Sequence, residues 1–169
     1  MVDHAELVQR LGETAALVRG LSPSPDPADH EGWSPQVILG HIAYVEEHVW
    51  LPRLRQMASV DVPLWQWWEP AGVDWLGIYG DASWPEVVEE FAAARQATCA
   101  YLAALPELGW ARRARHAVFG ELAVAGLCEE RSSPMTTTIW RSCAGTVATP
   151  TSGCRRRWPR WPARTGPRG

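Results

Sequence analysis

The chain has 169 residues, of which 46% are hydrophobic and 21% charged, values typical of one soluble globular domain. It has no run of about 18 apolar residues, which argues against a membrane-spanning helix. The N-terminal Asp3, His4 and Glu6 are unlike a secretory signal, so a cytoplasmic location is expected. The net charge of −3 is uneven: residues 1 to 130 hold all 19 acids and eight arginines, a net −11, whereas residues 131 to 169 hold eight arginines and no acid.

The first two predicted helices have clear start signals. Asp3-His4-Ala5-Glu6 predicts a capping box at the start of a helix over residues 4 to 19, which Gly20 ends. Proline-rich residues then predict a loop. In Trp33-Ser34-Pro35, Ser34 is the expected N-cap of a second helix and Pro35 its first residue. We expect its core face to consist of Val37, Ile38, His41, Ile42, Val45 and His48.

Further along, Pro52 predicts a kink or an end, unless Leu54 and Met57 continue the second helix. Residues 58 to 82 predict a long loop with four tryptophans, which either wall a pocket or cover an end of the bundle. Ser83-Trp84-Pro85-Glu86 predicts a capping box, and a third helix then runs to about Pro106. The apolar run from Glu121 predicts the first turns of a fourth helix. No segment is a convincing strand, so the pattern favours an α-helical bundle.

His41 is the candidate metal ligand, because it lies on the predicted core face of a helix whose backbone would fix the ring direction. Such histidines bind zinc, nickel or iron well, although a lone histidine on an apolar face is more often a hydrogen-bonded core residue. His48 is about 10 Å further along the axis, too far for both rings to bind one ion. We expect His4, His30 and His116, at element ends or in loops, to be solvated or capping residues.

The four cysteines match no zinc-binding or redox motif. Their spacing fits neither a zinc ribbon nor a CxxC pair, and a reducing compartment would keep them as thiols. We interpret them as structural or incidental; they are Cys99, Cys128, Cys143 and Cys154.

The segment Trp33–Ile42 (WSPQVILGHI), followed by Glu46 and Glu47, resembles the second-helix signature of DinB-like proteins. These are grouped with mycothiol- and bacillithiol-dependent transferases. The resemblance covers residues 4 to 130 and also includes the long loop, the Ser-Trp-Pro-Glu helix start and the segment from His116 to Gly120. It implies a four-helix bundle in which the helix-two histidine, here His41, joins two histidines of a fourth-helix HxxxH motif to bind a divalent metal. Positions i and i+4 share a helix face, so two imidazoles can converge on one ion.

This chain has no HxxxH motif, since no histidine follows His116. The peptide from Pro134 to Trp140 must be encoded as CCN ATG ACN ACN ACN ATH TGG. Read one base earlier, the same bases permit His-Asp-Asp-Asp-His-Leu, which contains the motif at the expected place. The chain has 16 arginines and no lysine or asparagine, as a GC-rich gene favours. We therefore infer a frameshift shortly before Ser133; a different genuine C-terminus is the alternative, because the degenerate code permits many peptides.

The sequence thus predicts an all-α, DinB-like bundle over residues 1–130 with a truncated fourth helix, followed by a non-native, irregular or disordered tail over residues 131–169. The resemblance implies that intact relatives hold a divalent metal (zinc, nickel or iron) and act on small molecules as thiol transferases or hydrolases. A low-molecular-weight thiol is the implied partner. Because only His41 remains of the ligand triad, we expect reduced metal affinity and activity in this chain.

Two other classes of function remain open on sequence grounds. A non-catalytic bundle could bind a small molecule through the tryptophan-rich loop without any metal. A nucleic-acid binder would use the arginine-rich tail and lose affinity steeply with salt. The net −11 of residues 1 to 130 disfavours that second class, because it would repel phosphates. The metal, the substrate and the oligomeric state, including a homodimer, are left open.

Overall fold

The computed structural model describes residues 3–22, 33–66 and 73–131. In these ranges the chain is mainly helical, with one small sheet. The elements, in chain order, are α1 (His4–Arg19), α2 (Pro35–Val45), a π-helical segment (Glu46–Trp50), α3 (Leu51–Ser59), β1 (Leu64–Trp65), α4 (Trp75–Tyr79), α5 (Trp84–Ala103), α6 (Glu107–Trp110), β2 (Arg113–His116), β3 (Gly120–Ala123) and α7 (Val124–Arg131).

The predicted starts of the first three helices are confirmed. The carboxylate of Asp3 accepts hydrogen bonds from the backbone N–H groups of Ala5 and Glu6 at the start of α1. Ser83 and Glu86 form the full capping box at the start of α5, which satisfies two N–H groups that the first turn leaves without helical partners. Ser34 occupies the N-cap position of α2, but its side chain makes no capping hydrogen bond.

The helix does not end at Pro52. Instead α2, the π-helical segment and α3 follow one another without a break from residue 35 to 59. Proline lacks an N–H and clashes with the carbonyl four residues before it in a regular α-helix. The wider π-turn lies immediately before the proline, where Leu51 donates its N–H to the carbonyl of Glu46. This turn allows the helix to pass through Pro52.

Val37 lies in the core as predicted, but the rest of the predicted core face of α2 is wrong by part of a turn. The buried residues are Val37, Leu39, Gly40 and Ala43, and Glu46 follows in the π-helical segment. Ile38, His41, Ile42 and Val45 are only half-buried, and His48 is exposed. The pattern misled because it counts large apolar side chains, whereas this face packs closely through glycine and alanine.

Gly40 shows why a small residue is needed on that face. A Cβ atom at this position would collide with the ring of Tyr79 from α4. Tyr79 is itself buried, and its hydroxyl donates a hydrogen bond of 2.6 Å to Glu90 on α5. The ring therefore lies flat against the backbone of α2 and joins three helices.

The expectation of no strand is also wrong. β2 and β3 form an antiparallel hairpin, and β1 pairs with β2 in parallel, in the order β1-β2-β3. The signal was present in Arg113-Ala114-Arg115-His116, whose exposed and buried side chains alternate. Gly120 has φ of +73°, a left-handed conformation that glycine adopts readily at a hairpin turn. The fourth helix, α7, consequently begins at Val124 rather than at Glu121.

The core consists of two clusters stacked along the bundle. α5 packs against both α1 and α2, and α7 packs against α1. One cluster, here called the upper cluster, centres on Phe91 with Val37 and Leu39. The other, here called the lower cluster, centres on Leu7, Leu11 and Met57. Each such fully buried side chain contributes about 1.5–3 kcal/mol relative to exposure. Within the described residues, no helix combines the length and apolar character needed to cross a bilayer.

Candidate functional site around His41

His41 lies at the border of the upper cluster, half-buried among aromatic rings. Its ring centroid is 4.7 Å from that of Trp75 on α4 and 5.5 Å from that of Trp33, which precedes α2. Trp75 also contacts Tyr44 at 5.1 Å. The structure therefore places the candidate ligand beside part of the tryptophan-rich segment, in an aromatic surface formed by Trp33, His41, Tyr44 and Trp75.

Burial lowers the pKa of His41 below its usual range. Removing the ring from water disfavours the imidazolium form, so the ring is neutral near pH 7. A neutral imidazole has a free nitrogen lone pair, which is the form that binds a metal. His41 is thus chemically suited to ligation, but this electronic state is also that of an ordinary core histidine.

The tryptophans of the long segment separate into two groups. Trp65 is buried in the lower cluster, where its Nε1–H donates a hydrogen bond of 2.7 Å to Gln56. Trp75 is buried beside His41. Trp67 and Trp68 lie outside the described residues. Covering the core and lining the surface around His41 are therefore both roles of this segment.

Of the other histidines, His4 lies at a helix end as predicted, whereas His48, predicted on the core face of α2, is exposed. His4 starts α1, stacks on Trp110 at 4.2 Å and approaches a carboxylate oxygen of Glu107 at 3.2 Å. His48 is exposed and packs on Tyr44. His30 lies outside the described residues. Neither described position, His4 or His48, suggests a shared ion with His41.

Of the two roles predicted for His116, solvated or capping, the structure supports the capping one, because the residue is only 3% exposed. It is the last residue of β2, and its Nδ1 accepts hydrogen bonds from the backbone N–H groups of Val118 and Phe119, at 3.1 and 3.3 Å. Both donors belong to the turn that leads into β3. The ring therefore holds the hairpin turn in place, a role that only its neutral form with an acceptor at Nδ1 can fill.

We expect His116 to make the protein less stable in mild acid. Burial, and then the nearby charge of Arg53, lower its pKa in the folded state, whereas the unfolded value is about 6.5. The folded state thus binds fewer protons, so this stability is complete above about pH 6.5 and is lost as the pH falls below it. Chemical denaturation from pH 5 to 8 should show this slope.

The matched variant is His116→Asn, whose side-chain oxygen keeps an acceptor near Nδ1 but does not titrate. It should reduce the dependence of unfolding free energy on pH. Some slope should remain, because burial also lowers the pKa of His41. Equal slopes in the two proteins would exclude His116 as a source of acid sensitivity.

A buried ion pair between the π-helical segment and α5 was not predicted from the sequence. The carboxylate of Glu46 is 3.3 Å from Nε of Arg95, and the two side chains are 0% and 4% exposed. The guanidinium also lies over the ring of Phe91, at 5.1 Å from its centroid. In the sequence, the pair could have been recognised from one acidic and one basic residue that each lie on the buried stripe of neighbouring helices.

The described residues do not assemble a metal site. Within residues 3–22, 33–66 and 73–131, no group of three or more histidine, cysteine, aspartate or glutamate side chains could hold an ion. Glu46, five residues after His41, is engaged by Arg95. Cys99 and Cys128 are free thiols, consistent with the structural role predicted for them, and Cys143 and Cys154 lie outside the described residues.

The described residues form a mainly helical bundle with one small sheet. A family model described as the DinB superfamily matches residues 5–129. The chain belongs to the DinB superfamily, and the resemblance noted in its second helix is confirmed.

A solved structure is similar to this chain over most of its length. It is YfiT from Bacillus subtilis, described as a probable metal-dependent hydrolase with an unusual four-helix bundle topology. The match has a TM-score of 0.71 at 12% identity and covers 86% of this chain and 88% of YfiT. At that identity the likeness concerns the fold alone. No curated protein matches the sequence.

Proposed function

We propose that this chain descends from metal-dependent transferases or hydrolases that act on small molecules, and that its own metal binding and activity are strongly reduced. The observation that carries the proposal is His41, present on α2 in the context of the family signature but without the two further histidines that the family resemblance implies. No histidine follows His116 in the sequence. The description of YfiT as a probable metal-dependent hydrolase supports a metal in related proteins.

The residues present do not fit a divalent ion. His41 is flanked by indole rings, which are not metal ligands. A catalytic zinc needs three protein ligands with an open position, and in the described part of the chain His41 supplies only one. No metal-dependent step can therefore be assigned to these residues. A frameshift before Ser133 accounts for the missing ligands and is part of the proposal.

The purified chain should contain far less than one equivalent of zinc, nickel or iron. A single imidazole cannot retain an ion against solvent and buffer. Elemental analysis after purification without added metal measures this directly, with His41→Ala and the exposed-histidine variant His48→Ala as a matched pair. A stoichiometric ion would contradict the proposal and indicate other ligands, such as Cys128 or Glu47.

The aromatic surface around His41 favours a second candidate function, binding of a small molecule without metal. Three half-buried rings, those of Trp33, His41 and Tyr44, offer apolar area together with polar atoms. Titration with cysteine or glutathione, followed by tryptophan fluorescence in excess chelator, tests it. Saturable quenching that Trp33→Ala weakens would support this candidate, and a linear response would exclude these thiols as ligands.

A further inference from the structure

A small cavity lies in the bundle core where α1, the π-helical segment, α3, α5 and α7 meet. Its volume is about 10 Å³, which is close to the space that one water molecule needs. Four of its eight lining residues are leucines, and Trp50 also lines it. The polar groups on the wall come from three elements: Glu46 of the π-helical segment, Thr98 of α5 and Cys128 of α7.

Thr98 supplies the second observation. The residue is 3% exposed, and its hydroxyl oxygen is buried with no hydrogen-bond partner. A buried hydroxyl without a partner lowers the stability of the fold, and such groups in native proteins are nearly always satisfied by protein or by ordered water. Within residues 3–22, 33–66 and 73–131, no protein group satisfies this hydroxyl, and it belongs to a residue on the cavity wall.

We propose that the cavity is an internal hydration site, in which one ordered water bridges the hydroxyl of Thr98 and the carboxylate of Glu46. A water can accept from the threonine hydroxyl and donate to the carboxylate, whose two oxygens offer about four lone-pair positions. The Cys128 thiol is a weak third partner. Two to four polar partners are what a buried water requires. An apolar occupant would leave the hydroxyl unsatisfied.

The site has a consequence for the ion pair next to it. Glu46 is fully buried with its carboxylate 3.3 Å from Nε of Arg95, so any hydrogen bond to that carboxylate lowers the cost of removing the ion pair from water. The bound water replaces part of the lost hydration. It therefore acts as a component of the core at the π-helical turn.

The test compares Thr98→Val, which keeps the shape but removes the hydroxyl, with Thr98→Ser, which keeps the hydroxyl. Magnetic relaxation dispersion of water oxygen-17 counts long-lived internal waters in each full-length protein. We expect Thr98→Val to have one fewer than the parent and a Tm lower by about 2–4 °C. Thr98→Ser should keep the full count, whatever its Tm.

A different result is expected if no water occupies the cavity. If the hydroxyl is simply unsatisfied, Thr98→Val removes a buried polar group, so the Tm should rise and the count of long-lived waters should stay the same. An unchanged count in Thr98→Val overturns the proposal. Should that variant fail to fold, loss of a long-lived water in Thr98→Ser would overturn it as well.

Discussion

A chain whose codons from Ser133 onward are read one base earlier, so that the fourth helix contains HxxxH, should unfold at a higher temperature than the present chain. α7 is described only over Val124–Arg131, and Leu127 and Cys128 already pack in the lower cluster. A completed helix would bury further apolar side chains, each contributing about 1.5–3 kcal/mol. Two or three of them would therefore add several kcal/mol to the free energy of unfolding without metal.

Nickel or zinc should then stabilise the corrected chain further. An ion that binds only the folded form adds about 2.7 kcal/mol when its concentration is a hundred times its Kd. His41→Ala in the corrected background should abolish this increment and keep most of the packing gain. Thermal melts with and without metal measure both effects. If the corrected chain is no more stable and does not respond to metal, the frameshift interpretation is wrong and His41 is an ordinary core histidine.

Removing one partner of the Glu46–Arg95 pair should be strongly destabilising. Arg95→Met removes the guanidinium that lies 3.3 Å from the carboxylate of Glu46, a side chain with 0% exposure, and breaking a buried pair in this way costs about 3–5 kcal/mol. Replacing both residues, as Glu46→Leu with Arg95→Met, should recover most of that loss, because no uncompensated charge remains. Urea denaturation of the parent, of Glu46→Leu, of Arg95→Met and of the double variant gives the coupling energy between the two residues directly.

An exposed ion pair on the same bundle provides the control. Arg19 and Glu89 form two hydrogen bonds of 2.9 and 2.8 Å between α1 and α5, with both side chains largely in solvent. Arg19→Met should cost much less than Arg95→Met, since water and salt screen the surface pair. Additive single effects at Glu46 and Arg95, or equal costs at the two sites, would show that burial does not decide the energetics here.

The helix starts were predictable because capping is local. Asp3 and the Ser83–Glu86 box act within four residues of chain, so their hydrogen bonds can be read from the sequence. The third helix, α5, was also predictable, since it begins at a capping box, and Val87, Phe91 and Leu102 are large apolar residues at helical spacing. The face of α2 was not, because its packing depends on a residue of another element, Tyr79, that fits only against glycine.

The site was predictable only in part, for a similar reason. His41 stood out as an ionisable residue on a helix, but its aromatic neighbour Trp75 comes from a distant segment. His116 was misjudged because its burial depends on a hairpin that the sequence analysis did not identify. The Glu46–Arg95 pair requires the π-turn and the α2–α5 packing together. Non-local contacts, rather than propensities, decide each of these features.

The contact between Gly40 and Tyr79 has a consequence for the history of the family. Because no Cβ fits at position 40 while a phenol ring covers it, the two positions should not mutate independently. An alignment of close homologues should show glycine at the first wherever an aromatic residue occupies the second, and larger residues only where the second is small. Such correlated substitution would mark the α2–α4 contact as a constraint on evolutionary divergence.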